Sequence, residues 1–202
     1  MHILITGASG LIGKPLIHAL EQRDYRISTL STRKRSAPVS TKIKTYHWSP
    51  SQGIFDEKAL DGVDAIISLA GAKINQRWTK KNRKAILDSR VKGTQLIQNA
   101  LKNNPNHNVT HFISASAIGL YPSDFDRTYK ESETKVANSF TGEVVAAWEQ
   151  QVDEIATLVR HVSKIRIGLV LAKSGGALVP LATPASFGLG AWSVSYTHLT
   201  LP

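Results

Sequence analysis

Apolar and polar positions along this chain follow two alternating periods. Short apolar runs of strand length occupy His2–Ile5, Tyr25–Leu30, Ile43–Trp48, Ala65–Leu69, His111–Ser116 and Lys164–Leu171. Between them lie stretches whose apolar residues recur every three or four positions, which predicts helices over Lys14–Arg23, about Lys80–Lys102 and Thr141–Thr157. Pro15 falls in the first turn of the first helix, where its missing N–H costs nothing. The cluster NNPNHN stops the second. Ala65–Leu69, in VDAIISLAG, is apolar at every position but Ser68, as suits a strand covered on both faces. Strand and helix alternate without internal repeat or low-complexity segment. That order predicts an α/β fold: a doubly wound parallel sheet with right-handed crossovers and helices on both faces.

The first strand-to-helix turn of such a sheet faces the crevice where ligands bind. Here it reads GASGLIG and comprises Gly7, Ser9, Gly10, Leu11, Ile12 and Gly13. Gly7 permits the tight turn, Gly10 lets the backbone approach a pyrophosphate, and Gly13 lets helix and strand pack closely. Free N–H groups at the helix start attract the phosphate charge. The triplet is a weak signal alone, but it has a strand before it and a helix after, so the turn predicts dinucleotide binding in a Rossmann-type domain. NAD binders place an acid at the end of the second strand, whereas NADP binders place an arginine there. This chain has LSTRKRS and no acid. Thr32 and Arg33, with Lys34 or Arg35 in support, are the natural partners of a 2′-phosphate, so NADP(H) is favoured over NAD(H). The alternative is that these are simply loop cations.

Composition narrows the classes. With 202 residues, 42% hydrophobic and 20% charged, the chain is of ordinary globular type. It has no cysteine, which excludes a disulfide framework, a thiolate metal site and a cysteine nucleophile. No metal site is expected. No apolar run approaches the roughly 18 residues of a membrane span, so the expectation is a cytoplasmic protein without a membrane partner. Against 15 acidic residues stand 25 basic ones. Part of that excess lies at Arg33, Lys34, Arg35, Lys42 and Lys44, and part at Arg77, Lys80, Lys81, Arg83, Lys84, Arg90 and Lys92. In the second group Trp78, Ile86, Leu87 and Val91 read as the buried face of a helix, which makes most of the charges a solvated face.

The motifs GASGLIG, DAIISLAG and FISASAIGLY together resemble the short-chain dehydrogenase/reductase superfamily, in its extended or atypical branch. More narrowly, LAGAKINQRWTKKNRKAILDSRVKGTQLI, SASAIGLY, the WE of AAWEQ and RIGLVLAKSGGAL closely resemble its epimerase family proteins, whose substrate is unknown. The resemblance runs to about Gly190. It implies that Gly7, Gly10 and Gly13 hold the pyrophosphate and Thr32 and Arg33 the adenosine ribose phosphate. It implies also that Leu69, Ala70 and Gly71 line the cofactor cleft, with Arg90 reaching it from the following helix and Val170 from the last strand. Ser116 falls at the superfamily's carbonyl-polarising serine; an ordinary strand-end hydroxyl is the other reading.

One departure is large. Superfamily enzymes use a tyrosine and, four residues on, a lysine that lowers the phenol's pKa. No such pair exists here. Tyr129 is followed at that spacing by Glu133, of the wrong charge, and FTGEVVAAWE places Phe140 and Val144 where the pair belongs. Tyr121 is an alternative acid, although a tyrosine there more often packs.

Past Gly190 the chain reads AWSVSYTHLTLP. The stretch from Val194 resembles the conceptual translation of a sequencing adapter, a genuine edge strand being the other reading. The expectation is therefore a domain over residues 1–190 whose substrate-binding part is incomplete, with a non-native tail over 191–202 and Val179–Leu189 left without partners. Three functions remain open: an NADP(H)-dependent reductase or epimerase of a small molecule, a dinucleotide-binding regulatory protein without chemistry, and a nucleic-acid binder using the basic helix, the least favoured. Oligomeric state is not set by the sequence.

Overall fold

The computed structural model describes residues 1–33, 43–124 and 126–186. Lys34, Arg35, Lys42, Gly190 and the tail from Val194 therefore lie outside the described residues. The chain forms two units, Met1–Gly168 and a second beginning at Leu169.

The first unit carries β1 (His2–Thr6), α1 (Gly13–Glu21), β2 (Arg26–Ser31), β3 (Lys44–Ser49), β4 (Ile54–Phe55), β5 (Ala65–Ser68), α2 (Lys80–Asn103), β6 (His111–Ala117), α3 (Phe140–Asp153) and β7 (His161–Ile167). Its seven strands run in the order β4-β3-β2-β1-β5-β6-β7. All pairs are parallel except β3 with β4. Chain direction across the sheet reverses between β1 and β5, so a crevice opens outside their carboxyl ends. This is a Rossmann-type doubly wound sheet.

Burial explains which segments became strands. All five residues of β1 are buried, because the central strand is covered on both faces. On one face α1 packs Ile17 against Ile3, Ile5 and Ile27. On the other, Leu96, Ile97, Trp148 and Val152 from α2 and α3 cover Leu4, Ile66 and Phe112. Two caps set where the long helices begin: the Thr79 hydroxyl accepts from the Asn82 N–H, and the Ser139 hydroxyl accepts from the Gly142 N–H.

Several expectations shift. Trp78 precedes the Thr79 cap and is 47% exposed, so it does not belong to the buried face of α2, whereas Ile86 does. The last strand begins at His161 rather than Lys164, since backbone pairing to β6 extends over its polar start, and it ends at Ile167. The third helix stops at Asp153 and continues as a 3-10 turn over Glu154–Thr157.

The second unit contains a two-stranded antiparallel hairpin, β8 (Leu171–Ala172) with β9 (Gly175–Gly176), followed by α4 (Leu178–Ser186). Val170 accepts a hydrogen bond from the Ala177 N–H at 2.9 Å, closing the hairpin. Val179 is 42% exposed. Among the described residues no helix is long and apolar enough to cross a membrane.

Candidate functional site

At the carboxyl ends of β1, β2 and β5 the first unit encloses a cleft of about 1090 Å³, the size of pocket that takes a cofactor. Gly7 and Gly10 form one lip. Gly7 sits at φ +73°, in the left-handed region, and a Cβ there would lie 2.7 Å from the carbonyl carbon of Leu69. No residue but glycine fits between β1 and β5 at that point. The Thr6 hydroxyl fixes the opposite side, accepting from the N–H groups of Leu69 and Ala70 at 3.1 Å each. Gly13 is buried beneath the turn, where a Cβ would collide with the Gly7 carbonyl oxygen.

The start of α1 is electrostatically open. Its N-cap, Ile12, makes no side-chain cap, unlike the hydroxyl caps of α2 and α3, and its first turn holds no acidic residue. A helix start with unsatisfied N–H groups attracts an anion. The cradle that a Cβ would fill and the uncapped helix fit a pyrophosphate.

Of the residues expected from sequence, Gly7, Ser9, Gly10, Thr32, Arg33, Leu69, Ala70 and Gly71 all line this cleft. Leu11, Ile12 and Gly13 follow at the helix start but are not on its wall. Arg90 stands behind the wall instead of reaching through it. Its Nη1 donates to the carbonyl oxygens of Ala72 and Ile86, at 3.3 and 2.9 Å, and its guanidinium lies 5.3 Å from the centre of the Trp148 ring. Burial pushes its pKa down. Arg90 therefore props the Gly71–Ala72 segment. Val170 belongs to the second unit.

Ser116 and Tyr121 meet in a separate network. Ser116 is buried and donates its hydroxyl to Glu149 on α3. Arg166 on β7 binds the same carboxylate with two prongs, and its Nη1 donates to the Tyr121 phenol oxygen at 2.7 Å. Tyr121 in turn donates to the Lys130 carbonyl oxygen at 3.2 Å and stacks on Tyr129. Burial works against the charge of Glu149, but the hydrogen bonds from Arg166 and Ser116 and the charges of Arg166 and Lys164 outweigh it and hold the carboxyl below its usual range. The Glu149 hydrogen bonds raise Arg166 correspondingly. Ser116 thus anchors Glu149, and its one proton is engaged. Neither Phe140 nor Val144 on α3 has a proton it can transfer, and Phe140 packs edge-on against Trp78.

Glu149 and Arg166 were not singled out by sequence reasoning, although both sit in motifs that carry the resemblance, WE and RIGLVLAKSGGAL. Also missed as cleft residues were Lys73, Lys81, Lys84, Asp88 and Lys92. For Lys81, Lys84 and Lys92 the signal was present in the basic stretch, but its cleft side was not legible; Lys73 and Asp88 carried no such signal.

Fold and cleft together define a dinucleotide-binding α/β protein. The chain belongs to the NAD dependent epimerase/dehydratase family, whose model matches residues 3–161. It is 37% identical over 189 residues to an epimerase family protein of Staphylococcus saprophyticus, covering 94% of this chain and 62% of the relative. An epimerase family protein of Staphylococcus aureus is 30% identical over 187 residues, with 93% and 61% covered. Among solved structures, human epimerase family protein SDR39U1 with NADPH superposes with a TM-score of 0.75 at 26% identity, covering 95% of this chain and 61% of that one. A nucleoside-diphosphate sugar epimerase from Corynebacterium glutamicum gives 0.76 at 28% identity, with 92% and 38% covered. The chain spans about three fifths of the length of the curated relatives it matches.

Proposed function

We propose that this protein is an NADP(H)-dependent, epimerase-like short-chain reductase acting on a small carbonyl or hydroxyl compound. The observation that carries the reading is the end of β2, where Thr32 and Arg33 line the cleft and the described residues of that strand end, Ser31 to Arg33, include no acid. An acid at that point would take the ribose hydroxyls of NAD, whereas an arginine accommodates the 2′-phosphate of NADP. The human relative solved with NADPH supports the same choice.

In this reading Gly7, Gly10 and the start of α1 hold the pyrophosphate, Thr32 and Arg33 the 2′-phosphate, and Leu69–Gly71 the wall beside the nicotinamide half. Bound NADPH supplies a hydride. The accompanying proton falls to Tyr121, which would have to release the Lys130 carbonyl oxygen and turn its hydroxyl to the substrate; the Arg166 N–H at its phenol oxygen would stabilise the negative charge left behind. Solvent then restores the phenol. Tyr121→Phe removes that proton and should cut turnover while leaving cofactor affinity unchanged.

A second reading, a dinucleotide-binding protein without chemistry, is favoured by one observation: Ser116 is held by Glu149, and α3 presents Phe140 and Val144 instead of a tyrosine and lysine. The readings separate in one assay, loss of reduced-nicotinamide absorbance in the presence of a panel of aldehydes, ketones and keto-sugars. Turnover that falls in Tyr121→Phe supports the reductase. Tight NADPH binding without turnover of any carbonyl compound supports the second.

A further inference from the structure

The basic stretch of α2 is not a uniformly solvated face. Lys81, Lys84, Asp88 and Lys92 recur at intervals of three or four residues, so they form a single stripe along the helix, and all four line the cleft. Ala85 and Ser89, small residues on the same stripe, leave room between the long side chains. The apolar face of α2, with Ile86, Leu96, Ile97 and Leu101, is turned into the core. A helix that buries one face and directs a cationic stripe into a concave cleft presents those charges to whatever enters it.

The stripe is organised around Asp88. Lys84 and Lys92 flank it at i−4 and i+4, with each ammonium nitrogen on the same oxygen, Oδ2, at 3.0 and 3.1 Å. One carboxylate oxygen thus draws two lysine heads together, which lowers the entropy each loses when it meets a ligand. The cleft as a whole sets Arg33, Lys73, Lys81, Lys84 and Lys92 against one acid. Arg33 rises from the end of β2, Lys73 from the segment between β5 and α2, and Lys81, Lys84 and Lys92 from α2, so an anion between these elements meets cations from two sides. A pyrophosphate has its own cradle at the glycine turn and the start of α1, and needs no such stripe.

Building on the cofactor reading above, we infer that Lys84 and Lys92, gathered by Asp88, form with Arg33 a two-sided clamp for a second phosphate, a monophosphate ester on the adenosine ribose. The clamp makes α2 a specificity element. Arg33 gives a planar, fixed contact, while the lysines give point charges on flexible stems that close once the ester arrives.

The test uses fragments that separate the two phosphate sites. Calorimetric binding of 2′,5′-ADP, which carries the ribose ester and one 5′-phosphate, is compared with that of 5′-AMP, which carries only the 5′-phosphate. Both are titrated into the unaltered chain, into Lys84→Gln/Lys92→Gln and into Lys102→Gln, the last being a control on the same helix outside the cleft. The clamp predicts that the double variant loses about tenfold or more for 2′,5′-ADP and less than about twofold for 5′-AMP. Lys102→Gln should change neither. Equal losses for both fragments would place the lysines on the 5′-phosphate that both carry and overturn the clamp. Undiminished 2′,5′-ADP binding in the double variant overturns it too, and leaves the cofactor reading standing. Failure of the unaltered chain to prefer 2′,5′-ADP overturns the cofactor reading, and the clamp with it.

Discussion

Arg166 on β7 and Glu149 on α3 face each other as a two-pronged ion pair, with Nε to Oε1 and Nη2 to Oε2 each at 2.9 Å. The pair joins the last parallel strand to the helix that covers it. Through Ser116 on one side and Tyr121 on the other it also ties down the end of β6 and the segment that follows. Glu149 keeps 9% of its side-chain surface in solvent and Arg166 keeps 18%. Paired charges this well covered are expensive to separate, although less so to replace together.

Arg166→Met leaves the Glu149 carboxylate buried, with the Ser116 hydroxyl and Lys164 at 3.7 Å as its remaining partners. Urea unfolding should show a loss of about 3 kcal/mol, the lower end for breaking a buried pair, since Arg166 is partly wet. Arg166→Met with Glu149→Leu should lose less than Arg166→Met alone. A single variant within about 0.5 kcal/mol of the unaltered chain would show that the pair is incidental.

The same carboxylate sets an acid limit. Because folding lowers the pKa of Glu149 below its ordinary 4.5, the unfolded chain takes up the proton first as pH falls. Its stabilisation is complete above that value and is lost as pH drops through 4.5 toward the folded pKa. Glu149→Gln should be less stable near neutrality, and the difference from the unaltered chain should shrink as pH falls from about 5 through 4.5 and below. A difference that stays constant across that interval would remove Glu149 from the acid response.

The glycines of the first turn should rank by what a methyl group would strike. Gly13→Ala drives its Cβ into the Gly7 carbonyl, whereas Gly10→Ala brings it to 3.1 Å from the same oxygen, where a small shift relieves it. Overpacking of the first kind costs about 1–3 kcal/mol. Gly13→Ala should therefore lower the melting temperature clearly more than Gly10→Ala. The reverse order would mean that α1 is free to move away from β1.

Arg33→Ala should weaken NADPH far more than NADH. A charge-assisted hydrogen bond to the 2′-phosphate is worth about 1.5–3 kcal/mol, or roughly tenfold to a hundredfold in affinity. NADH carries no such group and should change by less than about twofold. Parallel losses for the two cofactors would assign Arg33 to a general electrostatic role.

Much of the fold was legible because local pattern and tertiary environment agree. The strand assignments at His2–Ile5 and Ala65–Leu69 rest on burial on both faces, which leaves a nearly continuous apolar run, although the second strand ends at Ser68. GASGLIG was legible for a similar reason, its glycines being required by a geometry that the flanking strand and helix already imply. What escaped is set by distant partners. The two-residue β4 is fixed by its pairing with Trp48 and Ser49, and the polar start of β7 by pairing with β6. Trp78 fits a helical spacing, but the Thr79 hydroxyl caps a helix that begins at Lys80, two residues past it. Glu149 and Arg166 lie 17 positions apart and meet only when α3 lies over β7. The α2 lysines were visible as a charge run, yet which side is concave depends on β1, β2 and β5.

The central claim is that the cleft is built for a dinucleotide bearing a 2′-phosphate. Fluorescence titration of the chain with NADPH and with NADH, side by side at one moderate ionic strength, tests it most directly. The account predicts NADPH binding tighter by about tenfold or more. Equal affinity for the two, or binding of neither by protein shown to be folded, would contradict it.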